Sequence, residues 1–234
     1  MKLLLFDIDG TLIRSNGAGR ETLRYALEQV FETAGPLEEY KFSGKTDSRI
    51  ILDLMTAAGF SSKEVQAKLP AVYEMMAQRA AEIFPHSEMS VCTGIPELLA
   101  TLQQNEDVIL GLLTGNSQLT APLKLTHAGI EPSQFVVGVY GSDALDRNEL
   151  PFLGMERAQR LTGIAFSGKN TVIIGDTPAD IRCARAGRAT AVAVATGWHS
   201  DTTLEKYKPD HLFHNLSETE QVINVLLNHE GPGR

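Results

Sequence analysis

Cysteine is scarce. The 234-residue chain has two, Cys92 and Cys183, far apart and in no metal-ligand spacing. That excludes a disulfide framework and reads as reduced thiols in a reducing compartment. A basic excess is missing too: 29 acidic against 21 basic residues leave a net charge of −8, which argues against a protein that coats nucleic acid. An anionic small substrate fits that balance provided a metal or a local cation offsets the charge. No apolar run approaches membrane-span length, and the opening one, residues 3–6, is too short for a signal-peptide core. The expected location is cytoplasmic, with neither a membrane nor a nucleic-acid partner. Repeats and low-complexity tracts are absent, and the closing HEGPGR reads as a frayed tail.

What is present is an ordinary globular composition, 43% hydrophobic and 21% charged. Short runs rich in Val, Ile and Leu predict strands over 2–6, 108–113, 135–140, 171–174 and 189–195, with a weaker one at 211–213. Amphipathic stretches near 95–104, 118–128, 152–161, 178–186 and 218–227 predict helices between them. Several strands are apolar at consecutive positions, as expected when helices cover both faces of a parallel sheet. The fold class is α/β, a doubly wound parallel sheet. Residues 16–87 break the rhythm: no strand, but helical segments near 20–33, 48–58 and 62–84, punctuated by Gly35-Pro36, Gly44, Gly59 and Pro70. This insert reads as a small helical domain (16–87) within an α/β core domain (1–15 and 88–234), hinged at 15–19 and 85–91.

In an open α/β sheet, ligands gather beyond the carboxyl ends of the strands. The first strand runs into Asp7-Ile8-Asp9-Gly10-Thr11, and the 108–113 strand into Thr114-Gly115-Asn116. The 135–140 strand leads to Asp143 and Arg147, and the 171–174 strand to Gly175-Asp176-Thr177-Pro178-Ala179-Asp180. Singly, Asp and Gly after a strand are turn formers, and Ser117 or Thr177 is a helix cap. Together they bring carboxylates, a hydroxyl and a cation to one edge. Crowded carboxylates cost stability unless a cation joins them, and an all-oxygen set suits Mg²⁺. Phosphoryl transfer is the chemistry such a set can do. Asp7 can attack phosphorus to give an aspartyl-phosphate; Asp9 can protonate the leaving alkoxide and then activate water. Asp176 with Asp7 can hold Mg²⁺, and Thr114 can donate to a phosphoryl oxygen. The turns at Gly10, Thr11, Gly115 and Asn116 can add donors.

These residues resemble the haloacid dehalogenase superfamily along nearly the whole chain. Its DxDGT motif matches Asp7 to Thr11, its apolar strand ending in Ser or Thr matches Thr114, and its GDxxxD motif matches Gly175 to Asp180. Its helical cap matches the insert. The resemblance implies Asp7 as nucleophile and Asp9 as acid/base, with Asp9 also lending a backbone carbonyl to the metal site of Asp7 and Asp176; Asp180 is a supporting residue. The family lysine before the GDxxxD helix is missing, since the stretch reads DRNELPFLG and no lysine occurs between Lys124 and Lys169. Lys169 precedes its strand, at the wrong end of the sheet. Lys124 is placed about two turns into the helix near 118–128, roughly 10 Å from its start, and is set aside. Arg147 takes the cation's role, oriented by Asp143 or Asp146. Arginine can grip phosphate bidentately, so the exchange is reasonable though not conservative.

In the insert, FSGKTDSRI at 42–50 is similar to segments facing the active site in phosphoglycolate phosphatase-like and β-phosphoglucomutase-like members. Lys45, Thr46 and Arg49 are therefore substrate candidates; the other reading makes Thr46 or Asp47 a helix cap with Lys45 and Arg49 solvated. Arg14, Arg20 and His199 are weaker candidates. The expected function is Mg²⁺-dependent hydrolysis of a small phosphomonoester, of phosphoglycolate or sugar-phosphate type. A phosphomutase is the enzymatic alternative, and a catalytically weak phosphate-binding regulator the non-enzymatic one. Dehalogenase chemistry is disfavoured because family dehalogenases lack an equivalent of Asp9. Phosphonatase chemistry is disfavoured because the neighbours of Lys45 do not match the family's Schiff-base lysine motif.

Overall fold

The computed structural model describes residues 1–228; the HEGPGR tail lies outside them. Among the described residues eight strands run in chain order: β1 (Lys2–Phe6), β2 (Ile13–Arg14), β3 (Ser90–Val91), β4 (Val108–Leu113), β5 (Val137–Val139), β6 (Thr171–Gly175), β7 (Thr190–Val194) and β8 (His211–Phe213). The helices are α1 (Ala18–Phe31), α2 (Asp47–Ala57), α3 (Ser62–Ile83), α4 (Ile95–Leu102), α5 (Ala121–His127), α6 (Leu150–Thr162), α7 (Pro178–Ala186), α8 (Asp201–Glu205) and α9 (Thr219–Asn228). None is long and apolar enough to cross a membrane.

Six strands form one parallel sheet in the order β5-β4-β1-β6-β7-β8. Its consecutive apolar runs are explained by the pleat. Leu4 and Phe6 of β1 join Leu112, Val172, Ile174, Val192 and Val194 in the core on one face. Leu3 and Leu5 join Leu113, Ile173, Ala191 and Ala193 on the other. Residues 3–6 of β1 and all of β6 and β7 are covered by a helix layer whichever way they point. Burying a Leu or Phe side chain contributes about 1.5–3 kcal/mol, and all of Leu3, Leu4, Leu5 and Phe6 are inaccessible to solvent. That anchors the residue that follows them.

From β1 the sheet grows in both directions, to β4 on one side and β6 on the other. This reversal opens a crevice at the carboxyl end of β1. Between β2 and β3, helices α1 to α3 wrap a cluster of their own, built on Leu23, Leu27, Phe31, Ile51, Leu54, Met55 and Val72. β2 and β3 pair antiparallel, Ile13 with Val91 and Arg14 with Ser90. Pro70 lies inside α3 and does not end it. The 135–140 strand is shorter than its apolar pattern predicts: only 137–139 pair with β4.

Candidate active site

β1 delivers Asp7 to the crevice, 5% exposed. The chain then turns tightly: Thr11, Leu12 and Ile13 all donate backbone N–H to the Ile8 carbonyl, and Gly10 donates to Ile13. Gly10 takes φ +87° with Asp176 pressed against its α-carbon, a backbone and a contact that exclude a side chain. The turn spends the Gly10 and Thr11 N–H groups on its own carbonyls. Thr11 is fully buried and lies off the main cavity.

Four carboxylates now face two cations. The Asp7, Asp176 and Asp180 oxygens lie within 4.8 Å of one another. Arg147, 7% exposed, bonds Asp180 and approaches Asp7 Oδ1 at 3.3 Å. Asp180 is held in place by its own helix end: it accepts from the Thr177 N–H and hydroxyl in a capping box that starts α7. Asp180 therefore orients Arg147. Neither sequence candidate does so, for Asp143 pairs with Arg157 at 2.7 Å and Asp146 caps the turn of Arg147–Glu149. Burial pushes Asp7 up to about 6, with Arg147 pulling down and Asp180 and Asp9 pushing further. Burial also lifts Asp176 well above the carboxylate range, and Asp180 and Asp7 add to it. Arg147 moves up despite its burial, because Asp180 and Asp7 surround it.

Lys124 supplies the second cation, against expectation. Its ammonium donates to Asp9 Oδ2 and to Asn116 Oδ1, both at 2.6 Å. The readable signal was Pro122: proline belongs in a first helical turn, and α5 begins at Ala121. Lys124 is thus one turn in, about 4.5 Å along the axis. Ser15 and Asn116 also donate to Asp9, at 2.6 and 2.8 Å. Although burial opposes it, the charge of Lys124, with these bonds, holds Asp9 below its usual range. Thr114 accepts from the Asn116 side chain at 2.8 Å, so its own proton remains to donate.

The insert closes the site through the segment after Phe42. Asp47 N–H donates to Gly115 O at 2.7 Å, Ser48 bonds Gly141 O, and Thr46 Oγ1 donates to Leu145 O at 2.9 Å. The Asp47 carboxylate accepts from Ser117 N–H at 2.7 Å, and Ser43 meets His199 at 3.0 Å. The result is a cavity of about 400 Å³ lined by Asp7, Asp9, Lys45, Asp47, Thr114, Gly115, Asn116, Lys124, Arg147 and Asp176, among others. Three substrate candidates have protein partners of their own. Thr46 caps α2, accepting from Arg49 N–H. Arg49 pairs with Asp53 at 2.9 Å and does not line the cavity. Lys45 borders it, but its ammonium turns to Tyr40 at 2.7 Å and to Asp53. Gly10 and Arg14 line a smaller adjoining cavity instead.

The model of the haloacid dehalogenase-like hydrolase family matches residues 4–194. The chain belongs to that family. Among relatives of this hydrolase is the phosphoglycolate phosphatase of Synechococcus elongatus, 25% identical over 236 residues, covering 97% of this chain and 99% of the relative. The hydrolase fold is shared with a hydrolase from Pseudomonas syringae, with a TM-score of 0.68 and 18% identity over 96% of this chain and 98% of that one. A putative β-phosphoglucomutase from Bacteroides vulgatus gives a TM-score of 0.66 and 20% identity over 97% and 89%.

Proposed function

We propose that this hydrolase is a Mg²⁺-dependent phosphatase that cleaves a small organic phosphomonoester, of phosphoglycolate or sugar-phosphate type, through an aspartyl-phosphate. The observation that carries the reading is the division of labour between two neighbouring carboxylates: Asp7 sits against Arg147 and Asp176, Asp9 against Lys124. In this reading residues 16–87 act as a cap over a core of 1–15 and 88–234, which keeps bulk water from the reacting phosphoryl group.

The donor set fits Mg²⁺. It is all oxygen, it is crowded, and the buried Asp176 Oδ1 has no hydrogen-bond partner. Asp7 and Asp176 would hold the ion, with the Asp9 backbone carbonyl as the resemblance implies; Asp180 is already spent on Arg147 and Thr177. Bound there, the ion supplies positive charge that lets the carboxylates ionise together and draws electron density from the phosphoryl oxygens.

The protein's own groups do the rest. A carboxylate oxygen of Asp7 forms a bond to phosphorus as the ester P–O bond breaks, and the leaving alkoxide takes a proton from Asp9. Arg147 and the Thr114 hydroxyl stabilise the equatorial oxygens. An incoming phosphate competes with Asp9 for Lys124, which frees Asp9 to hold the proton it delivers. Asp9 then removes a proton from water as water attacks phosphorus, breaking the acyl-phosphate bond and restoring Asp7. Hydrolysis of an aryl phosphate with Mg²⁺, stopped by chelator and by Asp7→Asn, is the expected outcome; undiminished activity in Asp7→Asn would overturn the nucleophile. Steady release of inorganic phosphate without a bisphosphate activator separates this phosphatase from a mutase.

A further inference from the structure

The chain has one tryptophan, and it is 96% exposed. Its place is unusual. Trp198 lines both the main cavity beside Asp7 and Asp9 and the smaller one beside Gly10 and Arg14. Its neighbours in the chain fix it there. On one side Gly197 packs directly on the Asp176 carboxylate, so closely that any side chain would overlap it. On the other, His199 meets Ser43 of the cap at 3.0 Å. The indole thus stands at the mouth of the site, on a backbone tied to the metal-ligating carboxylate and to the lid.

The rest of the leaving-group end is apolar and poor in unspent positive charge. Leu23, Phe42, Ile50 and Met76 of the cap line it. Arg20 is turned to the Leu37 and Glu38 carbonyls and stacks on Phe42, and Lys45 is turned to Tyr40 and Asp53. The charged group the cap does offer is the Asp47 carboxylate, which would repel a second anionic group on the substrate. A flat indole face favours a flat apolar partner, whether an aromatic ring or the C–H face of a sugar. A cavity of about 400 Å³ has room for one.

We propose that Trp198 is a specificity-determining residue: it folds over the leaving group and selects phosphomonoesters whose leaving group is an uncharged ring over short acyclic acids. This rests on the phosphatase reading above, and the experiment keeps the two apart. Tryptophan emission of the Asp7→Asn protein with Mg²⁺ is titrated with a hexose phosphate, an aryl phosphate, phosphoglycolate and glycerol phosphate. The ring-bearing esters are expected to quench and blue-shift the emission in a saturable way, and the acyclic ones to leave it red. In the protein with Asp7 intact, Trp198→Ala is expected to lower kcat/KM for the ring-bearing esters at least tenfold more than for the acyclic ones, chiefly through KM, and Trp198→Phe to restore most of the loss. Equal losses for both classes, with unshifted emission, would overturn the role of Trp198 and leave the phosphatase standing. Shifted emission without phosphate release from any ester would retain the platform and remove the phosphatase.

Discussion

Arg147 is a single cation wedged among carboxylates, and its removal should be felt twice. Breaking a buried ion pair by deleting one partner costs about 3–5 kcal/mol, because the other charge stays behind. Arg147→Ala is therefore expected to lower the thermal midpoint of the metal-free protein and to cut kcat by about 10²–10³, the range for losing a transition-state donor. Arg147→Lys should recover part of each, since one ammonium cannot grip Asp7 and Asp180 as a planar fork does; full recovery would show that charge alone matters. Lys124→Met is expected to lower kcat/KM by about 10²-fold and to weaken competitive inhibition by inorganic phosphate. Inhibition equal to wild type would return Lys124 to a purely structural role. At this scale the sequence located Arg147 by its position ahead of α6, but not its partner. Asp180 reads as a motif residue, and its double duty, capping α7 and orienting Arg147, exists only once the capping box forms. Lys124 was hidden by a misplaced helix start that Pro122 would have corrected.

Among the elements, the closing segment before α2 carries the most testable charge. Burial pushes the Asp47 carboxyl up to about 6, Lys124 and the Ser117 N–H pull it down, and Asp9 raises it again. Its ordinary value is 3.8, so the folded protein holds the proton more tightly than the unfolded chain. The stabilisation this gives is present below about pH 4 and lost as pH rises through about 6. Asp47→Asn, neutral throughout, is expected to gain stability relative to wild type between those limits, read from urea unfolding at several pH values. A difference that stays flat with pH would remove the carboxylate from the seam. Element positions were largely legible: α7 and β1 match their predicted spans, because capping residues and a doubly covered apolar run mark them locally. The β2–β3 ribbon was not legible. Two residues a side leave no periodicity, and what defines the ribbon is backbone pairing across 78 positions from Ile13 to Val91.

For the molecule as a whole, a Mg²⁺ ion held by the acidic cluster would make stability a function of metal. An ion that binds the folded state alone raises its stability by about 2.7 kcal/mol at a hundred times its dissociation constant. Mg²⁺ is expected to raise the midpoint of thermal unfolding in wild type, and much less in Asp176→Asn. An equal rise in both would move the binding site elsewhere. Global architecture was the most legible level of all, since an α/β alternation broken once by a strandless insert leaves few topologies. The route by which that insert leaves and re-enters has a further consequence. Its two leads, Ile13–Arg14 and Ser90–Val91, lie side by side as paired strands, and its apolar cluster is separate from those of the sheet. The sheet thus packs without drawing on that cluster, although Thr46, Asp47 and Ser48 still bond the loops at its edge. One tight turn from Arg14 to Ser90 would complete it, and helices of another shape could be spliced onto the same ribbon. A change of insert would then leave Asp7, Asp9 and Asp176 at their strand ends and Trp198 on its loop while replacing the facing wall of the cavity.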